Sequence, residues 1–142
     1  MMKHVLVPLD GSGRAECALE HAMEAFPEAR LTLLTVIDPA SGFAGAGAPG
    51  TAEVWYESAR EQAEARLAEA RDRAATEGMA AETRVETGRP ARVIVDCAEE
   101  EGVDQVVMGS HGREGVSRLL LGSVAETVVR RSPVPVTVVR YR

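Results

Sequence analysis

The sequence contains few lysines and few aromatic residues, and each shortage excludes a class of protein. Lys3 is the only lysine among 16 basic residues, so the chain lacks the GxxxxGKS/T loop of P-loop enzymes. Aromatic residues make up 4% of the chain, which leaves little material for stacking single-stranded bases. The formal net charge of -6 argues against nucleic acids and anionic membranes as partners, because both bind basic surfaces.

Long apolar runs and cysteine motifs are also missing. No run reaches the ~18 residues that a membrane-spanning helix needs, and Lys3 leads directly into a strand-like pattern rather than a signal peptide. We therefore expect a cytoplasmic protein. Cys17 and Cys97 form no CxxC pair, so there is no metal or redox signature. Cys97 continues an apolar stripe, and we expect its thiol to be buried.

Five short apolar runs alternate with helical patterns along the 142 residues. The runs are rich in Val, Ile and Leu without strict alternation, which is typical of parallel strands covered on both faces. The third run is the weakest, because it is short and polar. The predicted strands are Val5–Leu9, Leu31–Ile37, Thr83–Glu86, Val103–Met108 and Val134–Val139.

Four helices are predicted between the strands: Ser12 to Phe26, Thr51 to Glu77, Pro90 to Glu101 and Ser123 to Arg131. The order βαβαβαβαβ predicts a single domain, residues 1–142, with an open parallel sheet, right-handed crossovers and helices on both faces. Ligands bind such sheets beyond the carboxyl ends of the strands, where the strand order reverses.

Residues 38–50 form a low-complexity segment made mainly of Gly, Ala, Ser and Pro. Because the segment follows the second strand, it belongs to the ligand side of the predicted sheet. We expect a flexible loop there, either a mobile lid or an inert linker.

The segment 109–123 carries the clearest chemical signal, since it joins a predicted strand to a predicted helix. Gly109 and Gly112 would let the backbone approach an anion closely. Gly122 and Ser123 stand where a helix start presents unpaired amides and the positive end of its dipole. The Ser123 hydroxyl could cap its own helix or donate to a phosphate oxygen. Without the full spacing, these glycines could simply form turns.

Asp10 follows the first strand and precedes a helix, a position that suits either a helix cap or a ligand contact. The following Gly11, Ser12 and Gly13 begin like a dinucleotide fingerprint, but Glu16 stands where the third glycine belongs. Asp10 has no obvious second carboxylate with which to form a hydrolytic metal site.

The loop after the fourth strand offers two arginines, Arg113 and Arg118. Each could neutralise phosphate charge or simply be a solvated surface residue. His111 has no carboxylate or second histidine at ligand spacing, so we interpret it as a turn residue. Glu114 is the only carboxylate of the loop. We therefore predict no catalytic residue and no protein-held metal, and binding without fast turnover.

The spacing Gly109, two residues, Gly112, nine residues, Gly122 and Ser123 resembles the motif of the ATP-binding branch of the universal stress protein family. Similar segments extend over the whole chain: HVLVPLDGS, LLTVID, GRPA, VDQVVMGSHG and SPVPVTVV. The resemblance implies a Rossmann-like fold of the adenine nucleotide alpha hydrolase type, with strand order 3-2-1-4-5.

The resemblance also implies a role for each matching residue. Asp10 would contact the ribose or adenosine end, beside a wall formed by Pro8 and Leu9, and the Val36 backbone would contact the adenine edge. Met108 and Gly109 would lie beside the adenosine. The phosphate-facing positions would be Gly112, Arg113, Gly122, Ser123 and Val124. The ligand would be ATP with Mg²⁺ or Mn²⁺ held mainly by the phosphates.

Three functions remain open at this point. The first is an ATP-binding regulator or sensor in a stress response, the second is a slow ATPase, and the third is a dimeric interaction protein with an empty site. The last strand, residues 133–139, would form an apolar sheet edge, and the resemblance implies a homodimer paired through it. Pro135 would remove one amide from that ladder, leaving the side chains of Val134, Val136 and Val138 to contribute.

Overall fold

The computed structural model describes residues 3–42, 51–110 and 121–140. Five strands and five helices lie within these ranges. In chain order they are β1 His4–Pro8, α1 Gly13–Ala25, β2 Arg30–Ile37, α2 Pro39–Gly42, α3 Thr51–Thr76, β3 Ala81–Thr87, α4 Pro90–Glu101, β4 Gln105–Gly109, α5 Ser123–Arg131 and β5 Val136–Val139.

All five strands are parallel, and their order across the sheet is β3-β2-β1-β4-β5. The predicted fold class and strand order are therefore confirmed. The chain first builds outward from β1 to β3 and then returns to the other side of β1 to add β4 and β5. The order thus reverses between β1 and β4, which is where sheets of this kind bind ligands.

The three central strands, β1, β2 and β4, are buried on both faces, as the unbroken apolar runs predict, whereas the edge strands β3 and β5 are only partly buried. Alternate residues of β1 point to opposite faces, so Val5 and Val7 belong to the core cluster that includes residues of α1 and α3, while Leu6 belongs to the cluster that includes residues of α4 and α5. Leu19 and Leu67 fill the first face, and the second contains fully buried Val106 and Val128, among others. This two-sided core fixes the carboxyl ends of β1, β2 and β4 relative to one another.

Helix signals in the sequence correspond to observed caps. Helix α1 begins after Ser12, whose Oγ accepts a hydrogen bond from the Ala15 amide at 3.2 Å. Pro90 occupies the first position of α4, and Gly102 ends that helix in the left-handed conformation.

Several predicted boundaries were wrong by a few residues. Strand β4 begins at Gln105 rather than Val103, because the Val103 amide bonds to the Ala98 carbonyl in the cap of α4. Strand β3 is longer than predicted, since all seven of its residues pair with β2. Strand β1 comprises His4–Pro8 rather than Val5–Leu9.

The segment 38–50 is not a loop throughout. Residues Pro39–Gly42 form the short helix α2, and residues 43–50 lie outside the described part of the chain. The Oδ1 atom of Asp38 accepts a hydrogen bond from the Ala40 amide at 3.0 Å, and Pro39 has the fixed φ that suits a first helical position.

Strand β5 is shorter than predicted and forms one edge of the sheet. Pro135 lies just before it and has no amide to donate, although its carbonyl accepts a hydrogen bond from the Val106 amide at 3.0 Å. The half-buried side chains of Val134, Val136 and Val138 pack against the core on the α4 and α5 face.

Within the described residues, no helix is long and apolar enough to cross a membrane.

Candidate functional site

A cavity of about 320 Å³ opens at the carboxyl edge of the sheet, where the strand order reverses. This volume lies at the lower end of the range found for small-molecule sites. Its described lining comprises Pro8, Leu9, Asp10, Ser12, Arg14, Ala15, Leu34, Val36, Asp38, Pro90, Ile94, Met108, Gly109 and Val124. The lining is mainly apolar, with a few polar groups contributed by the ends of β1 and β2 and by the start of α1.

The structure brings together seven of the eleven residues predicted from the sequence. Pro8, Leu9, Asp10, Val36, Met108, Gly109 and Val124 all line this one cavity. Gly122 and Ser123 immediately precede Val124 but are not part of the lining. Gly112 and Arg113 lie outside the described residues, as do His111, Glu114 and Arg118.

Two hydrogen bonds that involve side chains hold the turn between β1 and α1. The Oδ1 atom of Asp10 accepts from the Ser12 amide at 2.9 Å, and Gly11 adopts a positive φ of 87°. The buried hydroxyl of Thr35 donates to the Leu9 carbonyl at 2.8 Å, which ties the turn to strand β2. Thr35 therefore positions the turn, a role that no local sequence signal indicates.

Glycine is required at position 109 for a packing reason that the sequence did not reveal. A Cβ atom at this position would stand 2.8 Å from the carbonyl carbon, carbonyl oxygen and Cβ of Arg14. Helix α1 therefore packs directly on the end of β4, and only glycine leaves room for it. This packing gives Gly109 a structural role and brings Arg14 to the cavity wall. The role of Gly109 in close approach by an anion stays a prediction.

The first turns of three helices meet at the cavity: Ser12 and Arg14 from α1, Pro90 from α4 and Val124 from α5. A helix start carries unpaired amides and the positive end of the helix dipole. The cavity therefore lies near the positive ends of three helix dipoles.

The start of α5 differs from the sequence prediction in one respect. Gly122, not Ser123, is the N-cap residue, and it has no side chain with which to cap the helix. Ser123 is the first helical residue and is exposed. Its hydroxyl therefore does not occupy the capping position, and the predicted choice between capping and phosphate binding does not arise.

Sequence reasoning missed two charged residues of the lining, Arg14 and Asp38. Asp10 follows β1 and Asp38 follows β2, and parallel strands end at the same edge, so the two carboxylates share a cavity. Asp38 is therefore a second carboxylate in the lining that contains Asp10, and it was not predicted from the sequence. Among the described ranges, no group of three or more His, Cys, Asp or Glu residues is placed to hold a metal ion.

These features define the class of protein. A doubly wound parallel sheet with a ligand-sized cavity at its switch point is an α/β protein of the type that binds small molecules beyond the ends of its strands.

The chain belongs to the universal stress protein family, whose model matches residues 1–140. Universal stress protein MJ0531 of Methanocaldococcus jannaschii is 35% identical over 142 residues, covering 99% of this chain and 83% of the relative.

Solved structures agree with this assignment. The structure of protein MJ0577, from the same organism, superposes with a TM-score of 0.87 at 33% identity, covering 100% of this chain and 98% of that one. A universal stress protein solved in complex with cAMP superposes with a TM-score of 0.68 at 30% identity, covering 98% and 97% of the two chains.

Proposed function

We propose that this protein binds an adenine nucleotide, ATP in the first instance, in the cavity at the switch point, and that occupancy regulates a stress response in the cytoplasm. The observation that carries the proposal is that Asp10, Val36, Met108 and Val124, which the family resemblance singled out, converge on one cavity. The relative solved with cAMP supports an adenine nucleotide as the class of ligand.

The chemistry of the cavity suits the two ends of a nucleotide. Its apolar walls, including Val36 and Met108, match a flat base, while Asp10 can accept hydrogen bonds from ribose hydroxyls. The first turn of α5 carries backbone amides suited to phosphate. Mg²⁺ or Mn²⁺ would be held mainly by the phosphates, with Asp10 and Asp38 as the carboxylates within the cavity.

Calorimetry with ATP and magnesium tests the proposal directly. We expect saturable binding by the wild type and roughly fivefold weaker binding by Asp10→Asn, which loses a charge-assisted hydrogen bond but keeps Oδ1 as acceptor for Ser12. The exposed Asp72 on α3 supplies the control, since Asp72→Asn removes the same charge outside the cavity. Absence of binding at millimolar nucleotide would refute nucleotide binding.

Slow ATP hydrolysis is the second candidate, and the shared position of Asp10 and Asp38 favours it. A phosphate-release assay on the wild type, Asp10→Ala and Ser123→Ala decides between the two. Release that persists unchanged in both variants would come from a contaminating enzyme, whereas release lost in both would assign hydrolysis to this site. We expect binding without measurable turnover.

We also propose that two copies associate through β5. This strand is a sheet edge, and Val129 on the adjacent helix α5 is 46% exposed, so the edge lies beside uncovered apolar surface. Sedimentation at micromolar concentration should give a dimer. A monomer would contradict the proposed dimer. It would not bear on the proposed nucleotide site.

A further inference from the structure

Arg14 is the only basic side chain among the described residues that line the cavity. It shares that wall with two carboxylates, Asp10 and Asp38, so the charged side chains of the described lining sum to one negative charge. A phosphorylated ligand brings further negative charge into this space. A cation in the wall would offset this charge, and among the described lining residues Arg14 is the group placed to supply it.

The position of Arg14 is unfavourable for the helix that carries it. Arg14 is the second residue of α1, and a cation in the first turn of a helix opposes the helix dipole. Anionic side chains are preferred there, as Glu16 in the same turn illustrates. Residues that break a local rule at the wall of a cavity are commonly retained for function rather than for stability.

The main chain of Arg14 is held in place independently of its guanidinium. Its carbonyl group and Cβ pack against Gly109 at the end of β4, within 2.8 Å of where a Cβ on Gly109 would stand. This contact fixes the start of the Arg14 side chain at the cavity. Such preorganisation reduces the entropic cost of contacting a ligand.

Resting on the proposed function, we propose that Arg14 binds a phosphate group of the nucleotide and makes the cavity select phosphorylated ligands over the free nucleoside. A guanidinium can donate two parallel hydrogen bonds to phosphate oxygens, a geometry that a ribose or a base does not use as well. The selectivity then comes from a residue at the start of α1, outside the glycine-containing segment 109–123.

The test compares adenosine, AMP and ATP by calorimetry on the wild type, Arg14→Gln, Arg14→Lys and the control Arg71→Gln. Arg71 is an exposed arginine of α3 outside the cavity lining, so its loss changes net charge equally. Arg14→Gln keeps the Cβ that contacts Gly109, so the packing of α1 on β4 should be preserved, and thermal unfolding of each variant checks that it folds.

We expect Arg14→Gln to weaken AMP and ATP binding about tenfold or more while adenosine affinity changes less than twofold. Arg14→Lys should restore part of the loss, because it keeps the charge without the bidentate geometry. The salt dependence of AMP binding should also be shallower in Arg14→Gln than in the wild type.

Two results would overturn the assignment of Arg14. Equal weakening of adenosine and AMP would make Arg14 part of the wall rather than a phosphate contact. Unchanged AMP and ATP affinity in Arg14→Gln would show that Arg14 does not contact the ligand. If the wild type binds none of the three compounds, the proposed function fails as well, and this outcome is distinct from the other two.

Discussion

The guanidinium group of Arg66 on helix α3 covers Gly11 in the turn between β1 and α1. A Cβ atom on Gly11 would stand 2.8 Å from Nε and Nη2 of Arg66 and 2.9 Å from its Cζ. Gly11 also has a φ of 87°, a backbone conformation that L side chains rarely adopt. The turn that carries Asp10 therefore requires glycine at position 11, both for its positive φ and because a side chain from another helix covers it.

Gly11→Ala should lower the free energy of unfolding by about 1–2 kcal/mol, mainly because alanine is unfavourable at positive φ. The Arg66 side chain is flexible at its far end and can move away at little cost. The loss should therefore persist in an Arg66→Ala background, as measured by urea denaturation in a double-mutant cycle. Recovery of full stability in the double variant would instead attribute the cost to the contact.

Gly109→Ala should be destabilising for a different reason. The added methyl group would meet the backbone and Cβ of Arg14 at 2.8 Å, and the backbone cannot rotate away as a side-chain end can. Helix α1 must shift, at a cost of about 1–3 kcal/mol, and nucleotide affinity should fall with it.

Gly78→Ala provides the control for this prediction. Gly78 has a φ of 76° and nothing within 4 Å of its added Cβ, so its substitution costs stability through the backbone alone. Urea denaturation and calorimetry on both variants should separate the two effects. Equal nucleotide affinity in Gly109→Ala and the wild type would show that the position of α1 does not govern the cavity.

His4 should make the protein less stable in mild acid. Its side chain is 5% exposed, its Nε2 lies 2.6 Å from Thr32 Oγ1, and its Nδ1 has no hydrogen-bond partner in the described structure. Burial, assisted by Arg30, lowers the pKa of His4 below 6.5, against smaller opposing effects of Glu101, Glu82 and Asp104.

As the pH falls, His4 therefore takes up a proton at a higher pH in the unfolded chain than in the folded protein. The stabilising contribution is complete above about pH 6.5 and is lost as the pH falls through the folded pKa, with a slope of at most about 1.4 kcal/mol per pH unit. Urea denaturation from pH 8 to pH 5 should show this slope in the wild type and in the control His21→Gln, where an exposed histidine is replaced. The slope should be shallower in His4→Gln, and identical profiles for the two variants would contradict the assignment.

Cys97 should be unreactive in the folded protein. Burial raises the pKa of its thiol to about 11, and the nearby guanidinium of Arg84, with Nη1 3.4 Å from Sγ, opposes this shift only in part. At pH 8 the thiolate fraction is then on the order of one in a thousand. A Cys17→Ser variant should react with a thiol reagent at least about 100-fold faster in denaturant than when folded. Similar rates in both states would show that Cys97 is accessible.

The elements themselves were predictable because their signals are local. A hydroxyl at Ser12 can cap only the helix that follows it, Pro90 suits a helix start, and buried strands need unbroken apolar runs wherever they lie in a sheet. The choice of Asp10, Val36 and Met108 depended on family resemblance, and the common cavity that they line supports the choice. Boundaries such as the start of β5 were less accurate, because pairing between strands decides them.

By itself, the sequence determined the alternation of strands and helices, and it predicted the edge of the sheet at which the cavity lies. Only the tertiary structure decided which side chains share that site. Arg14 and Asp38 reach the cavity because helix α1 packs on β4 and because β1 and β2 end at the same edge. These residues are distant along the chain, and the packing that brings them together produces no periodic pattern in the sequence.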